Sequence, residues 1–77
     1  MARYAQHRPI EASRYLRRVA QRIEWHRDRF GWSQRELAER VGWSQGSIAA
    51  WEGGRIMPRV EAQLALAQVF GVGPHEL

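Results

Sequence analysis

Cysteine is absent from this chain of 77 residues, so neither a disulfide framework nor a thiolate metal site is available to it. Lysine is absent too. All twelve basic residues are arginine, a usage that a GC-rich genome explains more simply than selection for bidentate phosphate contact. No apolar run approaches the length that crosses a bilayer, and residues 1–8 lack the apolar core of a signal peptide. Neither leader nor membrane anchor is therefore expected, and a cytoplasmic location follows. Histidine is confined to His7, His26 and His75, at no metal-ligating spacing, and no nucleophile stands near a base. Gly53-Gly54 has the form of helix punctuation and not of a phosphate-cradling loop. The reading is of no catalytic residue, no metal and no cofactor, and hence not of an enzyme.

What is present is charge of uneven distribution. The formal net charge is +4. Residues 1–29 carry eight arginines against three carboxylates, whereas residues 30–77 carry four against five. An arginine-rich front joined to a nearly neutral body fits phosphate neutralisation. The length suits one small helical domain without a metal or disulfide staple.

The most informative stretch runs from Ser33 to Glu52. Ser33 and Glu36 form an S-x-x-E capping box that starts a helix, and Leu37, Ala38 and Val41 give that helix an inward face. Gly42 ends it, because glycine takes the left-handed conformation cheaply and lets the chain turn before Ser44 caps the next helix. The second helix, over 44–53, buries Ile48 and Trp51. Two short helices joined by a tight turn leave one of them proud enough to enter a major groove.

This pattern resembles the Cro/C1-type, or XRE, helix-turn-helix family of bacterial and phage regulators. The likeness rests on Ser33-Gln34, Leu37-Ala38, Gly42, Ser44, Ile48, Trp51-Glu52, Gly54, Pro58, Ala67 and Gly71-Val72, and spans roughly residues 19–77. It implies an all-α fold, a small four- to five-helix bundle of the phage-repressor (lambda repressor-like) type. The domain division is a flexible Arg-containing arm at 1–9 and a helix-turn-helix domain at 10–77, with the motif at 33–52. The resemblance also implies that Gln34 bonds a phosphate, and that an arginine in the first helix ties it to Glu52.

Around the motif, Pro9 or Ile10 to Phe30 is expected to be helical, since Leu16, Val19, Ile23, His26 and Phe30 recur at steps of three and four. His26 stands where the family usually has an aliphatic residue, and is expected to be a partly buried histidine satisfied by a backbone carbonyl. Arg27 falls on the inward side as well, and a buried guanidinium needs a carboxylate. Glu52 points inward four residues after Ile48, so pattern and resemblance agree on an Arg27–Glu52 ion pair. Trp32, Trp43 and Trp51 are expected in the core or at its edge. Trp25 projects among Arg18, Arg22 and Arg29 on the other side of the helix. After the motif, Pro58 is expected in the first turn of a further helix whose inward face is Val60, Leu64, Ala67 and Phe70, with Leu66 and Val69 pointing elsewhere. Pro74 to Leu77 begins the family's fifth helix.

The base-reading positions would be Gln45, Gly46, Ala49 and Ala50. Gln45 suits adenine and an alanine methyl suits thymine, but no arginine is available there for guanine. Gln34, Ser44, Ser47, Arg55 and Arg59 are assigned to phosphates or a narrowed minor groove. The partners expected are double-stranded DNA and a second copy of the chain, as a homodimer on half-sites about 34–36 Å apart. The competing reading is a protein-interaction module, antitoxin-like or a co-regulator, whose Gly46-Ala49-Ala50 face packs on a protein partner.

Overall fold

The computed structural model describes residues 10–77, with side chains described from residue 13; the proposed arm at 1–9 lies outside the described residues. Helix α1 (Ile10–Arg29) leads into α2 (Gln34–Val41), α3 (Gln45–Glu52) and α4 (Val60–Phe70), and a 3₁₀ turn (Pro74–Glu76) follows. No strand occurs among the described residues. No helix among them is long and apolar enough to cross a membrane.

Local chemistry accounts for the α2–α3 unit. Ser33 Oγ accepts from the Glu36 N–H at 3.0 Å and Glu36 Oε1 accepts from the Ser33 N–H at 2.7 Å, which closes the capping box in both directions. Gly42 ends α2 at φ 84°, where a Cβ would be strained, and its N–H returns to the Ala38 carbonyl. Ser44 Oγ then accepts from the Ser47 N–H at 3.1 Å to start α3. The backbone bond of Ser33 to Glu36 is also the main reason its carboxyl is held below the ordinary carboxylate value, with Arg40 helping.

The core gathers one face from each helix. Val19 and Ile23 of α1, Leu37, Ala38 and Val41 of α2, Ile48 and Trp51 of α3, and Leu66, Ala67 and Phe70 of α4 meet in one cluster that Leu77 closes. Trp32 and Trp43 pack against its edge, as expected. His26 is buried in α1, with its ring stacked on Phe70 at 5.0 Å and Nε2 3.4 Å from the Glu76 carbonyl, so a backbone carbonyl does satisfy it.

Two expectations fail at helix ends. Phe30 does not continue the buried stripe of α1, because the helix stops at Arg29 and the chain turns at Gly31; its exposed ring stacks on Trp32 at 4.5 Å instead. The phase of α4 also differs. Val60 and Leu64 are 66% and 51% exposed, while Ala62 and Leu66 are fully buried. Pro58 is itself buried ahead of the cap residue Arg59, and its carbonyl accepts from Gln63 Nε2 at 2.7 Å. That anchor starts the helix at Val60 and turns Val60 outward. The small Ala62 then lets α4 approach its neighbours closely.

Two outcomes test this account. Leu66→Ala should cost about 2–5 kcal/mol in chemical denaturation, whereas Leu64→Ala should stay within about 0.5 kcal/mol of wild type; equal losses would contradict the observed phase. A carboxyl with a lowered folded-state pKa stabilises the fold above its unfolded pKa and loses that contribution as pH falls through the folded value. The stability advantage of wild type over Glu36→Ala should therefore be full at neutral pH and shrink on acidification below the usual carboxylate range, in thermal melts taken as a pH series.

Candidate nucleic-acid interface

The site is built around α3, and α3 is held by charge. Arg27 Nε donates to Glu52 Oε2 at 2.6 Å and Nη2 donates to Glu52 Oε1 at 3.0 Å, a two-pronged bond between the last turn of α1 and the end of α3. Both side chains are nearly sealed from water, Glu52 more so than Arg27. Nη1 donates to the Trp32 carbonyl at 2.7 Å and lies 3.3 Å from Asp28. The hydrogen bond to Glu52, reinforced by the charges of Glu52, Asp28 and Glu24, raises the Arg27 pKa above its ordinary value despite burial. The expected ion pair is present.

Gln34 joins this pair. Its Nε2 donates to Glu52 Oε1 at 3.1 Å, so the side chain assigned to a phosphate is turned toward the end of α3. At its start α2 still offers backbone donors. Its capping box uses the N–H groups of Ser33 and Glu36, which leaves those of Gln34 and Arg35 in the unpaired first turn. In α3 the Ser44 cap takes the Ser47 N–H and leaves those of Gln45 and Gly46. Each helix start thus presents amides that suit an anion, aided by the helix dipole.

The residues assigned to bases divide into three groups. Gln45 and Gly46 are exposed at the first turn of α3, and Ala49 is half-buried behind them. A Cβ added at Gly46 would meet nothing closer than Ser44 Oγ at 3.8 Å, so the fold itself has no steric need for glycine there. Ala50 is a correction. It is 8% exposed and belongs to the core, because the chain reverses at Gly54, φ 70°, and lays the Arg55 and Ile56 N–H groups on the Ala50 carbonyl at 3.0 and 3.4 Å. It cannot face a base.

The same reversal gathers the phosphate candidates. Ser47 and Arg59 open on one cleft of about 470 Å³, which Trp43, Ile56 and Met57 also line and Ala50 floors. Arg55 is exposed and folds back over Gly53, where an added Cβ would meet its Nη1 at 2.9 Å. Ser44 is committed to the cap and to Ser47 Oγ at 3.0 Å. Trp43 is the residue that sequence reasoning assigned to packing alone. It packs on Trp51, with ring centroids 6.0 Å apart, yet also forms a wall of the cleft. Its place between Gly42 and Ser44, inside the turn, was the available signal.

Among the described residues no acidic side chain lies in the first turn of α3, and no group of three or more histidines and carboxylates gathers as a metal site. A first turn without carboxylates suits an approaching anion.

Known proteins share this geometry. Residues 11–77 match the family model described as "Helix-turn-helix domain". A similar solved structure is the restriction-modification controller protein C.AhdI from Aeromonas hydrophila, at 28% identity and a TM-score of 0.75, over 79% of this chain and 92% of that one. No curated protein matches the chain.

Removing one partner of the buried pair strands the other. Glu52→Ala should cost about 3–5 kcal/mol, measured by thermal or urea unfolding; wild-type-like stability would refute the anchoring role.

Proposed function

The chain belongs to the helix-turn-helix domain family, as a DNA-binding transcriptional regulator of the Cro/C1 (XRE) type, and from that premise we propose how it reads DNA. Helix α3 enters the major groove with Gln45, Gly46 and Ala49 toward the base edges. Backbone amides of Gln34 and Arg35, the Ser47 hydroxyl, and the guanidinia of Arg55 and Arg59 hold phosphates on either side, while Ser44 keeps α3 capped. The observation that carries this reading is the bare first turn of α3: an exposed glutamine, a glycine the fold does not require, and no carboxylate. Glycine there lets a base edge or sugar approach the backbone closely.

With one side chain able to make a bidentate base contact, worth about 1–3 kcal/mol of discrimination, a single copy carries little sequence information. Two copies on a two-fold operator double it, and DNA shape adds to it through arginines in a narrowed minor groove. The working form is accordingly a homodimer on DNA in the cytoplasm, acting by binding and not by catalysis. Likeness to a restriction-modification controller supports a role in the control of transcription.

The test is selection from a random duplex pool, with binding measured at two salt concentrations. Gln45→Ala should flatten preference at one or two base positions, and Gly46→Ala should weaken the selected site without loss of thermal stability. Arg55→Ala and Arg59→Ala should weaken all sequences alike and lower the salt slope by about 0.9 for each phosphate that is no longer neutralised. Salt-sensitive binding with no enriched motif would overturn operator reading in favour of a protein-interaction module.

A further inference from the structure

The DNA reading leaves the outer face of α1 unused, and that face is not ordinary. Tyr15, Arg18, Arg22, Trp25 and Arg29 follow one another at steps of three and four, which places them on one stripe of the helix. Trp25 is 60% exposed. The Arg29 guanidinium lies 5.2 Å from its ring centroid and 4.9 Å from that of Phe30, and Arg18 lies 5.7 Å from that of Tyr15. None of these stripe positions carries a carboxylate. Asp28, on the flank, is turned to Arg27.

Beside Trp25 the surface is concave. A recess of about 580 Å³ is walled by Gln21, Arg22, Trp25, His26, His75 and Glu76. Three of its polar side chains, Arg22, His26 and Glu76, are already engaged. Arg22 Nη1 donates to the carbonyls of His75 and Leu77 at 3.3 and 3.2 Å, and Glu76 Oε2 accepts from the Gly73 N–H at 3.1 Å. His26 has its Nδ1 3.0 Å from Arg29 Nη2 and its Nε2 near the Glu76 carbonyl. A ligand entering there finds the Trp25 ring as an aromatic wall, with Arg22 and Glu76 beside it and the guanidinia of Arg18 and Arg29 farther along the same face of α1.

We propose that this face docks an acidic helix of another protein, which sets one large apolar side chain into the recess against Trp25 and lays carboxylates on Arg18 and Arg29. Those two arginines are eleven residues apart, about 16 Å along the axis, a span that a partner helix of three turns covers. Charge complementarity selects this occupant. A second copy of the same face would oppose arginine to arginine. A duplex engaged by α3 is on the wrong side, because Trp25 lies about 200° around the helix from Arg27, which grips the end of α3. Nor does a sugar–phosphate chain offer an apolar group for the recess. Docking thus leaves α3 free, so that one molecule holds DNA and a protein partner together; this clause and the exclusion of a duplex from the α1 face rest on the DNA reading.

The probe is a fluorescein-labelled helical peptide of repeated Glu-Glu-Leu-Glu units, read by anisotropy against the full chain, with a Glu-Glu-Ser-Glu peptide as the pure polyanion. Wild type should bind the leucine peptide about tenfold or more tighter than the serine peptide, the worth of one well-seated apolar side chain. Trp25→Ala, at an exposed position, should keep the melting temperature and the DNA affinity of wild type and abolish the difference between peptides. Arg18→Ala with Arg29→Ala should weaken both peptides. Saturating duplex should leave leucine-peptide binding to wild type unchanged. Equal binding of the two peptides, or no effect of Trp25→Ala, would overturn the docking surface. Displacement of the peptide by duplex would instead make this face a DNA contact. Failure of the DNA arm alone would count against the DNA reading and leave the peptide comparison standing.

Discussion

One carboxylate fixes the arrangement on which everything else depends. Glu52 ends α3, receives two bonds from Arg27 of α1, and receives a third from Gln34 at the start of α2. A charge taken out of water is tolerated only when its partners are in place, so the pair penalises any arrangement that separates these helices. Arg27 directs its remaining donors to the Trp32 carbonyl and Asp28, which ties in the connection between α1 and α2 as well. The hydrophobic cluster supplies the driving force for collapse, but it is non-directional. The ion pair supplies direction.

That direction matters because α3 is a poor helix by its own composition. It has eight residues, a glycine in its first turn and little side-chain chemistry on its outer surface. A segment so short is marginal in isolation. Its serine cap at one end and its buried glutamate at the other hold it as a rigid element. In the proposed reading the arginines serve long-range attraction and phosphate contact, while recognition is left to a few atoms at the first turn of α3. A positively charged surface lies on the far side of α1 too, where aromatic rings interleave with the guanidinia. The two faces differ in kind: the first turn of α3 presents small side chains and suits backbone approach, and the α1 face presents the exposed Trp25 beside a recess and suits a side chain.

The features legible in the sequence are those whose geometry is settled within a few residues. Capping at Ser33 and Ser44, the turn at Gly42 and the inward phase of α2 depend on bonds three or four residues apart, and the residue types that make them are few. The Arg27–Glu52 pair is long-range, yet each partner sits at a fixed helical phase and a buried charge admits few partners, so pattern and family likeness converge on it. The same logic places His26 and the three inner tryptophans.

Tertiary structure decided what local pattern leaves degenerate. In Val60–Phe70 most positions are apolar, so several helical phases look equally buried; the seating of Pro58 and the close approach at Ala62 chose the one that exposes Val60 and Leu64. Ala50 faces outward by helical pattern alone but is covered where the chain doubles back past Gly54. Gln34 has the donor for a phosphate and gives it to Glu52, because the ion pair brings an acceptor within reach. A sequence by itself determines which bonds are available to neighbours along the chain. Which of several equivalent faces is buried, and which donor is already taken, depends on what packs against them, and only the assembled helices contain that.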